Sequence, residues 1–260
     1  MARRGEPGPP TVVFLHAGIA DRRSWDEVMD ILSADTDVVA YDRRGFGTTT
    51  YVPEDHDQLA DLCAVLDALG LDRVVLVGNS RGGEIALSAA LARPERVSAL
   101  VLVAPAVAGA PAATEADIDP VEAALWESLE AADAAGALDA LNLGEIRFWL
   151  DGPGAPEGRV TGARRQLALD MNRIALQAES PGFERAPPEA WSRLGELHLP
   201  VLVEVGALDM RRQRERAAAL AERIAGARLH LIPEAAHLPG LEQPGLVAEI
   251  VRTFLRSSLG

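Results

Sequence analysis

The sequence predicts an α/β protein: a mostly parallel sheet flanked by helices, with one helical segment inserted into it. Three observations carry this. Short, nearly continuous apolar runs at 11–15, 37–41, 73–77, 97–103, 200–205 and 228–232 alternate with stretches whose apolar residues recur at helical spacing. That is the pattern of strands buried on both faces and joined by crossover helices. Gly78-Asn79-Ser80-Arg81-Gly82 stands between one such strand and one such helix, which places Ser80 on a strand-turn-helix. Between about 105 and 191 the rhythm changes, and helical stripes replace strands.

Taken in order, residues 1–10 are rich in Gly and Pro and read as an extended or disordered lead-in. The strand at 11–15 leads through a loop to a helix over about 24–32, with Ser24 as its N-cap. After the strand at 37–41, Asp42-Arg43-Arg44-Gly45-Phe46-Gly47 forms a turn-rich loop, in which Asp42 and Arg44 are expected to pair. An amphipathic helix over 57–69 then ends at Gly70. Its stripe Leu59, Leu62, Cys63, Leu66, Leu69 assigns Cys63 to the core. Next come the Ser80 turn, a helix over 83–91 and the strand at 97–103. In the inserted segment the stripes are Val121, Ala124, Leu125, Leu129 and Leu167, Met171, Ile174, Ala178, and the Ala-rich stretch 131–140 reads as helix. Asp151-Gly152-Pro153-Gly154-Ala155-Pro156 breaks the segment, and Pro187-Pro188 marks its exit. The chain therefore divides into a core, 1–104 and 192–260, and a helical cap insertion, 105–191.

Composition narrows the function. The 260 residues are 48% hydrophobic, enough for one large core. A single Cys precludes an internal disulfide and makes a reducing cytoplasm the expected compartment. The apolar run that follows Met1-Ala2-Arg3-Arg4 is too short for an export signal, and no run approaches membrane-spanning length. A net charge of -14 disfavours nucleic acid and anionic membrane surfaces as partners. The chain has no Lys, which excludes Schiff-base chemistry and a P-loop lysine. Gly45-Phe46-Gly47 is no dinucleotide fingerprint, since Thr50 takes the third glycine position and Pro53 follows. There is no H-E-x-x-H and no Cys pair, and the five His are dispersed. His56 reads as exposed, and His198 and His230 as structural. Neither a metal nor a cofactor is expected.

A serine is a poor nucleophile at neutral pH, so Ser80 needs a base within hydrogen-bond reach and an acid to orient that base. In a parallel sheet, such groups gather at the carboxyl ends of strands. Asp209 follows the strand at 200–205 through Gly206-Ala207-Leu208, and His237 follows the strand at 228–232. The chain order is nucleophile, acid, base.

With these residues in view, the chain resembles the α/β-hydrolase superfamily, in the branch of small bacterial esterases, enol-lactonases and cofactor-free haloperoxidase-like enzymes. The resemblance runs from Thr11 onward and rests on five features: His16-Ala17-Gly18, Asp42-x-Arg44-Gly45-x-Gly47, the Ser80 turn, Gly206-x-x-Asp209, and His237. It implies Ser80 as nucleophile, His237 as general base and then acid, and Asp209 as the residue that fixes the imidazole tautomer. It also implies an oxyanion hole made from the backbone N–H groups of Gly18 and Arg81. His16 is expected to order its loop. The Arg81 side chain, where relatives carry an apolar residue, is expected to pair with a carboxylate, the alternative being that it helps hold an anionic substrate. Trp126, Phe148 and Trp149 lie in the inserted segment, where such aromatics either hold the cap helices together or wall the substrate pocket. Relatives place two antiparallel strands before the position of Thr11, and ten Pro-rich residues cannot supply both. An edge so exposed calls for a cover, a second copy of the chain being one.

The expected activity is cleavage of a small carboxylic ester or lactone through an acyl-enzyme. A carbon-carbon bond hydrolase of the meta-cleavage type is the nearest alternative, although such relatives carry Trp after the catalytic His and here the residue is Leu238. A dehalogenase would need a carboxylate in place of Ser80. A ligand-binding protein that has kept the fold without turnover is the alternative from another class.

Overall fold

The computed structural model describes residues 1–8, 10–112 and 119–259. Pro9 of the lead-in, residues 113–118 of the inserted segment and Gly260 lie outside the described residues. One sheet is built from β1 (Ala2–Arg4), β2 (Thr11–Leu15), β3 (Asp37–Ala40), β4 (Val74–Asn79), β5 (Val97–Val103), β6 (Val201–Gly206) and β7 (Arg228–Ile232). Their order is β1-β3-β2-β4-β5-β6-β7, with β1 antiparallel to β3 and every other pairing parallel. From β2 the chain runs outward to β3 and then returns to the other side of β2 for β4. The order therefore reverses between β2 and β4, and the crevice at their carboxyl ends is where an open parallel sheet offers a site.

Alternation along the buried strands feeds two cores. One face carries Val13, Leu15, Leu76, Leu100 and Val203 against α2 (Gln58–Ala68), α3 (Arg81–Ala92) and α7 (Arg211–Arg223). The other carries Val12, Phe14, Val75, Val77 and Val101 against α1 (Asp26–Leu32) and α9 (Pro244–Leu259). Both faces are dry because helices cover both, which is why the strands read as near-continuous apolar runs. Each large side chain so buried contributes roughly 1.5–3 kcal/mol. Between β5 and β6 the described residues hold no strand. They form α4 (Pro120–Ala134), α5 (Leu138–Ile146), a π-helical turn at Arg147–Asp151 and α6 (Gly162–Gln177). A short helix, α8 (Pro239–Glu242), precedes α9.

The lead-in takes the extended of its two expected forms: Ala2–Arg4 pairs with β3, and Arg3 forks onto Asp37 at 2.9 and 2.8 Å. Three local expectations need correction. Ser24 is not an N-cap. It lies inside the 3-10 turn Arg22–Trp25, whose cap is Asp21, accepting from the Arg23 N–H at 2.9 Å. The Ala-rich stretch is two helices, parted where Gly136 adopts a φ of 63°. Cys63 is half-buried rather than core, with its thiol pushed up by burial.

The apolar reading of β6 passes over Glu204, which is 0% exposed and whose two carboxylate oxygens have no hydrogen-bond partner among the described residues. It sits on the strand between Val103 of β5 and His230 of β7. Burial alone pushes its carboxyl up to about 8. The folded protein thus holds a proton that the unfolded chain releases in the ordinary carboxylate range. Stability should fall as pH rises from about 4.5 to about 8. Replacing Glu204 by Leu should remove its share of that slope, leaving the part due to Glu242, and raise stability at pH 8 by about 1–3 kcal/mol. Urea denaturation of both proteins at pH 5 and pH 8 measures this. Parallel losses in the two proteins would show that Glu204 is not the titrating group.

Candidate active site

Ser80 has φ 52° and ψ -113°, a backbone conformation rarely open to residues with a side chain. Its surroundings impose it. A Cβ on Gly78 would lie 2.3 Å from the Gly82 carbonyl oxygen, and one on Gly82 would lie 2.2 Å from that of Leu15. Only bare backbone lets α3 start this close to the ends of β4 and β2. The turn is held by the Ser80 N–H, which donates to Val103 at 2.9 Å, and by the Ser80 carbonyl, which accepts from Glu84 and Ala106 at 3.1 and 3.0 Å. Arg81 is then the first residue of α3, so its N–H has no partner within the helix.

The structure brings His237 and Asp209 together as the chain order implied. The imidazole Nδ1 lies 2.8 Å from Asp209 Oδ2, and both side chains are buried. Asp209 Oδ1 accepts from the Met210 N–H at 2.8 Å, which fixes the carboxylate. Asn79 joins this pair to the Ser80 turn: its Nδ2 donates to the carbonyls of Val103 and His237, each at 3.0 Å. Sequence reasoning saw Asn79 only as part of a motif.

Two further residues that sequence reasoning missed hold the His237 loop. The Glu242 carboxylate accepts from the N–H groups of Ala236 and Leu238, at 2.8 and 3.0 Å, one on each side of His237. Burial pushes the Glu242 carboxyl up to about 7, the hydrogen bond from Arg159 and the two N–H groups offsetting only part of the rise. Arg159 also donates to the carbonyls of Leu150, Asp151 and Glu234. One guanidinium therefore ties the inserted helices to the His237 loop. The one signal in the sequence was the spacing of Glu242 within the short turn after His237.

On the opposite wall, His16 donates from Nδ1 to the Ala17 carbonyl at 2.8 Å, and its Nε2 accepts from the Arg43 N–H at 3.1 Å. An acceptor Nε2 means a neutral ring, and burial first, then Arg43, holds His16 well below the ordinary histidine range. His16 thus orders its loop, as expected. The Ala17 carbonyl also accepts from Arg43 Nη2 at 3.0 Å. Across a trans peptide the C=O and the next N–H point in opposite directions, so anchoring Ala17 inward turns the N–H of exposed Gly18 outward.

The Arg81 guanidinium pairs with Glu84 and with Glu184 of the inserted segment's return. That return is pinned to the loop before α2. Glu54 N–H donates to Pro181, His56 N–H to Phe183, and Arg185 N–H to His56, at 3.0, 2.9 and 2.9 Å. His56 is consequently buried, not exposed as its sequence context suggested. The expected Asp42–Arg44 pair is also absent. Asp42 accepts from the Arg22 N–H at 2.9 Å and ion-pairs with its guanidinium at 3.4 Å, while Arg44 pairs with Asp61 and Glu54 at 2.7 and 3.0 Å.

The three candidate aromatics form one cluster. Phe148 is buried, Trp149 packs on it at 4.9 Å between centroids, and Trp126, 46% exposed, meets Phe148 at 5.7 Å and Trp149 at 6.5 Å. Trp149 reaches the His237 ring at 4.6 Å, and its carbonyl accepts the His237 N–H at 3.1 Å. Among the described residues, no three His, Cys, Asp or Glu side chains gather as a metal would need. No described helix is long and apolar enough to cross a membrane.

Comparison with known proteins gives a match to the model of the alpha/beta hydrolase family over residues 12–250. The chain belongs to this family. A putative 2-succinyl-6-hydroxy-2,4-cyclohexadiene-1-carboxylate synthase of Bacillus subtilis is 29% identical, the alignment covering 99% of this chain and 94% of that protein. A 2-hydroxy-6-oxo-6-phenylhexa-2,4-dienoate hydrolase of Comamonas testosteroni is 28% identical, over 94% and 87%. Among solved structures, a thermophilic esterase of Thermogutta terrifontis superposes with TM-score 0.75 at 24% identity, covering 99% and 92%. The enol-lactonase of Burkholderia xenovorans superposes with TM-score 0.72 at 20% identity, covering 98% and 95%. At that identity the structures share the fold alone. The chain is thus an alpha/beta hydrolase by family and an enzyme of hydrolase type.

Within this alpha/beta hydrolase, Glu242→Gln should loosen the His237 loop, because an amide cannot accept from both N–H groups and Arg159 at once. A loss of about 1–3 kcal/mol in urea denaturation is expected, with slower turnover. Unchanged stability and turnover would show that the loop is held by its packing instead.

Proposed function

We propose that this alpha/beta hydrolase cleaves a small carboxylic ester or lactone through an acyl-enzyme on Ser80. The observation that carries the reading is the joining of nucleophile turn and base by Asn79, with Asp209 on the far side of His237. Ser80 Oγ attacks the substrate carbonyl carbon, and its proton passes to His237 Nε2. The Nδ1–H stays on the Asp209 carboxylate, which fixes the tautomer and stabilises the imidazolium. The N–H groups of Gly18 and Arg81 receive the oxyanion. As the tetrahedral intermediate collapses, His237 returns the proton to the leaving alkoxide; in a lactone, that hydroxyl stays on the acyl chain. Water then adds to the acyl-enzyme with His237 as base, releasing the acid and regenerating Ser80.

Residues 105–191 serve as the cap over this site, with Trp126, Phe148 and Trp149 as the wall facing the acyl group. No metal or cofactor takes part, and the single Cys favours work in a reducing cytoplasm. A second reading, carbon-carbon bond cleavage, is favoured by the name of the 28% identical full-length relative and opposed by Leu238 after His237.

Turnover of p-nitrophenyl esters from acetate to decanoate and of simple lactones, by the wild type and by Ser80→Ala, tests the proposal. A fall of about 10³-fold or more in kcat with little change in KM is expected for the variant. Retained turnover in Ser80→Ala would sink the acyl-enzyme. Cleavage of a vinylogous diketone acid without ester turnover would move the activity to the second reading.

A further inference from the structure

Arg43 poses a question that the reaction scheme leaves open. Its side chain is buried at 4% exposure, and it makes no ion pair among the described residues. A guanidinium is costly to bury without a carboxylate. Its contacts are the Ala17 carbonyl at 3.0 Å, the His16 carbonyl at 3.5 Å, the His16 ring, and the face of Phe46 at 4.4 Å from the centroid. Burial draws its pKa down to about 10, so at neutral pH it still carries its charge. Against that burial, Tyr41 and Glu84 raise its pKa and Arg81 lowers it.

We propose that Arg43 is a positioning residue of the oxyanion hole, holding a buried positive charge one peptide behind the Gly18 N–H. The inference rests on the serine-hydrolase reading above. Two effects act along the same line. The hydrogen bond from Nη2 to Ala17 fixes the plane of the Ala17–Gly18 peptide. The cation also polarises that amide, which strengthens the N–H on its other side as a donor. A charge held in a dry wall needs no reorganisation as the oxyanion forms, so it acts on the transition state more than on the neutral substrate. The expense of burying Arg43 with no carboxylate beside it among the described residues is then matched by its location.

The test separates charge from packing. Arg43→Lys keeps a cation and a donor; Arg43→Gln keeps a donor and removes the cation. Both are compared with the wild type for ester kcat and KM, for affinity toward a phenylboronic acid that forms an anionic tetrahedral adduct on Ser80, and for melting temperature. Arg43→Gln is expected to lose about 10–100-fold in kcat with KM within about threefold, and to lose boronate affinity in parallel. Arg43→Lys should recover at least about tenfold of both. Equal activity of the two folded variants, or a loss of kcat with boronate affinity unchanged, overturns the proposal. Should Arg43→Gln not fold, Arg43→Lys decides: boronate affinity within about threefold of wild type supports the charge, and a loss beyond about thirtyfold overturns it. A wild type that forms no boronate adduct, or turnover that survives Ser80→Ala, would instead count against the serine-hydrolase reading itself.

Discussion

At the carboxyl ends of β2 and β4, main chain must pass main chain with nothing in between. The spaces at Gly78 and Gly82 are smaller than a methyl group, so α3 is seated directly on Leu15 and on its own preceding strand. Ser80 absorbs the sharp change of direction, at a backbone cost of about 1–3 kcal/mol that the hydrogen bonds to Val103, Glu84 and Ala106 offset. Because the helix starts one residue later, the Arg81 N–H is left without an intrahelical acceptor beside the serine. Because Leu15 lies under Gly82, the His16-Ala17-Gly18 turn is brought to the same place from the other strand. The hydroxyl and both candidate oxyanion donors follow from a single steric fit.

Around that fit, buried charge is handled in three ways. Asp209 and Glu242 have partners, each accepting from N–H groups and from a side chain of the opposite kind. Glu204 has none among the described residues, and such a carboxyl can escape its desolvation by keeping a proton. Arg43 cannot escape in this way at neutral pH, since even after burial its proton is held to about 10. Backbone carbonyls and an aromatic face therefore solvate it. That difference between acid and base explains how β6 tolerates a glutamate, while the loop after β3 must build its contacts around an arginine.

What could be read from the sequence is what local pattern dictates. The strands and helices on both sheet faces, the Ser80 turn and the strand-end positions of Asp209 and His237 all announce themselves within a few residues of chain. Contacts that close over long separations do not. Asn79 reaches His237 across 158 positions, Arg81 reaches Glu184 across 103, and Arg159 reaches Glu242 across 83. Two of the failed expectations, at His56 and at Asp42, share this cause. His56 is covered by a segment more than a hundred residues away, and Asp42 is taken by Arg22 before its near neighbour can reach it. β1 is only three residues long, and its place depends on Arg3 finding Asp37 rather than on any periodicity of its own.

The inserted segment is fastened to the core at several points, and two of them touch the candidate site. At one, Ile146, Leu150, Ala168 and Met171 pack against Ala17, Ala20, Leu238 and Leu241, so the apolar seam binds the loops that carry Gly18 and His237. Arg159 and the Trp149 carbonyl add polar ties to the same His237 loop. At the other, the return through Phe183 and Glu184 is laced to the loop before α2 and to the Arg81 side chain. A segment attached only by surface contacts could shift without consequence for the chemistry. Here a displacement of the helices pulls on the His237 loop and on the first residue of α3, so the position of the inserted segment and the geometry of the candidate site are one mechanical problem.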